Sequence, residues 1–193
     1  MSDQNFYALK RVDPHWGDYG DMLIHGMAER CEDGQLALER SGPFAPPIFQ
    51  PSNTVVVTAE FLTALKGSGL TGFEAGPVIK KRIPKIDWLA WEPYGPEEFK
   101  YPAGNEPENY ILRRKHSPEA ASGLGELFEL RLKPGIRVSR ESGFHLIRES
   151  WTGYDFFVPD GDHFIRNYVS ETARDWLFAN AGEWIDFEVV HVK

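Results

Sequence analysis

Val55-Val56-Val57-Thr58-Ala59-Glu60-Phe61-Leu62-Thr63-Ala64-Leu65-Lys66-Gly67-Ser68-Gly69-Leu70-Thr71-Gly72-Phe73-Glu74-Ala75-Gly76-Pro77-Val78-Ile79 spells out strand, helix, turn, strand. A β-branched run ends at Thr58, whose hydroxyl suits the N-cap, and Glu60 puts a negative charge near the positive end of the helix dipole. Phe61, Leu62 and Leu65 form one apolar stripe, and Gly67 and Gly69 offer the left-handed residue that closes a helix. Phe73 to Ile79 then returns as a strand.

The same grammar recurs near the C-terminus, in Tyr168-Val169-Ser170-Glu171-Thr172-Ala173-Arg174-Asp175-Trp176-Leu177-Phe178-Ala179-Asn180-Ala181-Gly182-Glu183-Trp184-Ile185-Asp186-Phe187-Glu188-Val189. Val57 answers to Val169, Thr58 to Ser170, Leu65 to Leu177, Gly69 to Gly182, and Phe73-Glu74 to Phe187-Glu188. Two copies are too few for a solenoid. Each offers an apolar helix face that needs a sheet beneath it. The expected class is α+β, with mixed or antiparallel sheets, few short helices and two similar strand-helix-strand units, at 54–87 and 154–192. A single domain is expected over 1–193, with two lobes as the variant.

Between these units the chain alternates strand and turn signals. Asn5 to Val12 alternates as an opening strand, with Phe6, Ala8 and Lys10 on one side and Tyr7 and Leu9 on the other. Asp13 to Asp21 is rich in Asp, Gly and Pro and reads as an irregular loop. Leu23 to Ala28 and Gln35 to Leu38 read as strands. Four prolines between Ser41 and Pro51 make an extended strap whose Phe44, Ile48 and Phe49 pack on the core. Lys80-Lys81-Arg82 and Lys85 alternate with Ile83 and Ile86, which suits a solvated strand face better than a phosphate site. Trp88 to Tyr110 has no period, and Tyr110 to Arg114 reads as a short strand. Ser117-Pro118-Glu119 starts a helix. Leu127 to Leu132 is a strand ended by Lys133-Pro134-Gly135. Ile136 to Ser139, Phe144 to Ile147 and Tyr154 to Val158 are further strands, and Pro159-Asp160-Gly161-Asp162 is a hairpin-type turn.

Composition narrows function mostly by exclusion. The 193 residues, with 41% hydrophobic and 26% charged, suffice for a globular core. Cys31 is the one cysteine, which excludes an internal disulfide and any multi-cysteine metal site. Residues 1–5 lack the pattern of a signal peptide, no apolar run reaches membrane length, and the expected location is the cytoplasm. A formal charge of -8 disfavours nucleic acid and suits a basic protein partner. No nucleophile elbow, phosphate loop, dinucleotide fingerprint or paired histidine occurs, so no catalytic residue, metal or cofactor is assigned. The aromatic and acidic run from Trp91 to Tyr110 suits protein recognition, with Trp91, Tyr94, Glu97 and Glu98 as the expected contact residues. The rival function is a small-molecule or enzymatic cleft between the two units, lined by Asp160, Asp162 and His163.

Val169-Ser170-Glu171-Thr172-Ala173-Arg174, a short helix, a glycine and Ile185-Asp186-Phe187-Glu188-Val189 together resemble the closing segment of bacterial immunity proteins of polymorphic toxin systems, including the double-CXXCG type. The doubled pattern and Asp155-Phe156-Phe157-Val158-Pro159 before the second copy are similar too. The likeness covers about half the chain, without the paired cysteines of that type. It implies a cytoplasmic protein that binds and neutralises a cognate toxin by protein contact. It carries over no catalytic residue; no enzyme activity, cofactor, nucleic-acid or membrane partner is expected, and the oligomeric state is left open.

Overall fold

The computed structural model describes residues 4–12, 17–40, 45–85, 106–141, 143–161 and 166–193. In chain order these give β1 (Phe6–Arg11), α1 (Gly17–Ile24), β2 (Met27–Arg30), β3 (Leu36–Glu39), β4 (Ile48–Phe49) and β5 (Val55–Thr58). Then follow α2 (Ala59–Gly67), β6 (Phe73–Arg82), α3 (Pro107–Leu112), α4 (Pro118–Gly123), β7 (Leu127–Ile136), β8 (Val138–Ser139) and β9 (His145–Leu146). A 3-10 turn at Arg148–Ser150 leads to β10 (Phe156–Pro159), β11 (Tyr168–Ser170), α5 (Glu171–Ala181) and β12 (Ile185–Val189). The protein is α+β. Most strand pairs are antiparallel, but β7 with β10 and β3 with β6 are parallel, so the sheet is mixed. No helix among the described residues is long and apolar enough to cross a membrane.

The chain forms two compact units. The first takes Met1–Val12, Glu60–Ala75 and Leu130–Lys193; the second takes Asp13–Ala59 and Gly76–Glu129. In the first, the strand order is β12-β1-β11-β10-β7. The register Ala8↔Glu188 and Ala8↔Tyr168 puts Phe6, Ala8, Tyr168 and Phe157 on one face. There they build a core with Ile136 and Leu146, against which Trp151, Tyr154, Val190 and Val192 pack. Phe6 meets Trp151 and Phe157 edge-on, at 5.1 and 5.4 Å between centroids. Tyr7, Leu9, Val169 and Phe156 lie on the opposite face, as strand alternation requires.

Both helices of the repeated pattern belong to this first unit. Leu65 and Leu177, the equivalent positions, are fully buried, and the rings of Phe61 and Trp176 sit 5.4 Å apart. Thr58 stands immediately before the first residue of α2, and Ser170 caps α5, its Oγ accepting from Ala173 N at 3.2 Å. Ser170 Oγ also donates to Asp155 Oδ1 at 2.8 Å. Ser170→Ala is therefore expected to cost about 1–2 kcal/mol in a urea melt, the usual worth of a cap residue. The two helix ends differ: Gly69 is left-handed, at φ +79°, whereas Gly182 keeps a right-handed φ of -60°.

In the second unit β3 lies between β2 and β6, and β4 pairs with β5. Leu36, Leu38, Phe49, Val56 and Leu127 form its main core, and Ile83, Ala121 and Leu124 a smaller one. The strap expected over 41–51 packs inward as predicted at Ile48 and Phe49, and does so as a strand. Phe44 lies outside the described residues.

Three expectations are corrected. Gly17–Ile24 is a helix where a loop and the start of a strand were expected, with Leu23 buried; tertiary burial overrides its two glycines. Tyr110 to Arg114 is no strand, because Pro107 at the first turn and Glu108 open α3, which buries Ile111 completely. β7 runs on through Lys133-Pro134-Gly135, since Lys133 and Pro134 pair in parallel with Phe157 and Val158. A Cβ on Gly135 would stand 2.7 Å from that of Phe157, so the glycine serves strand proximity and not a turn.

Candidate functional site

The basic cluster is the first place to look for an anion site, and each of its cations already has a protein acceptor. Lys80 Nζ donates to the carbonyls of Ala121 and Gly125, at 2.6 and 2.7 Å, where α4 ends and carbonyl groups are left over. Lys81 bridges Glu29 of β2 and Glu39 of β3, the latter at 3.1 Å, and those hydrogen bonds raise its pKa. Arg82 donates to Leu112 O at the end of α3, and Lys85 meets Glu119 at 3.0 Å. Lys80, Lys81 and Arg82 lie on β6, alternating between its two faces, and Lys85 lies beyond its end; their charges bind this segment to its neighbours.

A polar group that the sequence did not reveal lies where β3 ends, with Arg40 N donating to Arg82 O at 3.0 Å. Arg40 is 1% exposed, donates from Nε to Ile24 O at 3.0 Å and lies 4.9 Å over the Phe49 ring. Burial lowers its pKa to about 9, so it still carries charge at neutral pH. His25, also buried, accepts from the Gln50 backbone N–H through Nδ1 at 3.1 Å, which places the proton elsewhere on the ring. Between them Gly26, at φ +73°, leaves no room for a Cβ, which would fall 2.6 Å from Glu39 O. The group ties together α1, β3 and β4. Nothing in Glu39-Arg40-Ser41 distinguishes a buried arginine from a solvated one.

The expected contact residues Trp91, Tyr94, Glu97 and Glu98 lie outside the described residues, as do Asp162 and His163 of the expected cleft. Asp160 is exposed and its N–H donates to Ile136 O at 2.8 Å, a backbone role in the connection from β10 to β11. Among the described residues the histidines stay dispersed. His116 Nδ1 accepts from Ile83 N, His145 Nδ1 sits 3.1 Å from Gly143 O, and His191 is exposed. Among the described residues, no group of three or more His, Cys, Asp or Glu side chains is placed to hold a metal ion.

What the first unit does present is contact surface. Phe178 on α5 and Val189 on β12 are each 67% exposed. Glu183, Asp186 and Glu188 are exposed around the same elements. Glu188 faces Arg166 at 3.5 Å, and Trp184 Nε1 donates to Glu183 at 3.0 Å. Among the described residues β12 pairs only with β1 and borders the strands of the first unit, while in the second unit β2 pairs only with β3. The β2 border is closed by Ser52, whose Oγ accepts from Ala28 N and donates to Ala28 O, at 3.4 and 3.2 Å. The alternation Ile185-Asp186-Phe187-Glu188-Val189 marks a strand in the sequence and not its place at a border. No family model, curated protein or solved structure matches this chain.

Proposed function

We propose that this chain is a cytoplasmic immunity-type protein that neutralises a cognate toxin by stoichiometric contact and performs no reaction of its own. The observation that carries this reading is the exposure of Phe178 on α5 and Val189 on β12, two elements whose neighbouring positions Glu183, Asp186 and Glu188 also expose carboxylates. Apolar groups that lose all contact with water on binding supply affinity, and a surround of like charge steers the encounter and selects a basic partner. The formal charge of -8 extends that field over the whole protein. The acidic and aromatic run with Trp91, Tyr94, Glu97 and Glu98 adds a second contact candidate in the same sense.

Co-expression with the product of the reading frame immediately upstream tests the proposal. That product should be toxic alone, harmless in the presence of this chain, and recovered with it in a one-to-one complex. Because steering is screened by salt, the association rate should fall at least about tenfold between low and high ionic strength. A harmless upstream product that forms no complex would remove the proposal.

A further inference from the structure

Among the described residues no strand pairs with the outer border of β12, and its side chains state what would fit there. Val190 N donates to Phe6 O at 3.0 Å. With the register Ala8↔Glu188 and Lys10↔Asp186, the residues whose backbone groups face β1 are therefore Asp186, Glu188 and Val190. Those of Ile185, Phe187 and Val189 face outward. Phe187 N–H is met there by the carboxylate of Asp186, at 2.8 Å, so the border is capped by a side chain that a strand can displace.

We infer that β12 is the docking edge for an extended segment of a partner protein in which apolar residues alternate with Lys or Arg. This rests on the proposed role as a protein-binding inhibitor and names its surface. A strand added to β12 shares faces with it residue by residue. On one face its side chains meet Phe187 and the exposed Val189, on the side of the sheet that carries Ile185 and α5. On the other they meet Asp186 and Glu188, both exposed. Apolar residues fit the first set and cations the second. A second copy of this chain fits badly, because antiparallel pairing of β12 with itself places Asp186 opposite Glu188 of the other copy.

A ten-residue peptide alternating valine and lysine, added to the full-length 15N-labelled protein, tests this. Binding should shift and protect the amides of residues 185–189. The same peptide N-methylated at its valines, whose amides would face β12, keeps its charge and should bind at least tenfold more weakly. Glu188→Lys, at an exposed position whose folding is verified by the thermal melt, should weaken the unmodified peptide at least tenfold. Equal binding by the methylated peptide, an unaffected Glu188→Lys variant, shifts mapping elsewhere, or no binding at millimolar concentration would each overturn the inference. A captured toxin that leaves residues 185–189 unprotected overturns the edge and leaves the inhibitor role standing. Peptide binding at β12 with no toxin partner does the reverse.

Discussion

Gly72→Ala is expected to destabilise the protein by about 2–5 kcal/mol, measured as the shift of an equilibrium urea transition. Two costs coincide there. Gly72 has φ +95°, where an L side chain costs about 1–2 kcal/mol. A Cβ would also fall 2.0 Å from Phe156 O and 2.7 Å from Tyr154 Cβ, and backbone must move to admit it. It has little freedom to do so. Phe156 N donates to Thr71 O, Lys133 N to Gly72 O, both at 2.9 Å, and Thr71 N and Oγ1 both donate to Asp155 Oδ2 at 3.0 Å. Gly69 is the control: at φ +79° it is equally left-handed, but nothing lies within 4 Å of its Cβ position. Gly69→Ala should therefore cost only about 1–2 kcal/mol, the conformational part alone. Equal losses at the two sites would show that the close approach at Gly72 carries no weight.

The second large effect is expected at Arg30→Ala, about 3–5 kcal/mol at neutral pH. Arg30 grips both oxygens of Glu129, Nη1 to Oε2 at 3.2 Å, and Glu129 is only 2% exposed while the arginine is half in solvent. The hydrogen bond to Glu129 raises the Arg30 pKa, so its charge is present at every pH at which the protein is handled. Truncating the arginine removes the cation that holds both oxygens of a buried carboxylate, which costs more than the pair contributes. The variant's deficit should shrink in acid, because a protonated carboxyl tolerates burial better than a carboxylate. Lys85→Ala breaks an ion pair whose partners are both mostly exposed and should cost under about 1 kcal/mol. A urea series over pH on the two variants checks both statements. An Arg30→Ala loss no larger than that of Lys85→Ala would remove the argument from burial.

Much of this architecture was legible because local chemistry and tertiary need agreed. The caps at Ser117 and Ser170, the stripes ending in Leu65 and Leu177, and the alternation of β1 and β12 were plain in the sequence and stand in the structure. Reading failed where two signals competed. Pro134-Gly135 carries turn chemistry, yet a parallel partner held it extended; Pro107 with Glu108 opened a helix that the β-like Tyr110-Ile111-Leu112 concealed. The candidate surface was half legible. The acids of β12 alternate visibly, but which edge of a sheet is left open is a property of the pairing.

By itself, then, the sequence determined the α+β class, the doubled strand-helix-strand pattern and the acidic character, since periodicity, caps and charge are local and additive. Only the tertiary structure decided that Arg40 and His25 are buried, that the lysines of β6 are committed to carbonyls and carboxylates, that Ser52 meets the outer side of β2, and that among the described residues no strand lies outside β12. Those facts depend on which residues distant in the chain come together, and a side chain's burial or a strand's missing neighbour has no trace in its own few residues.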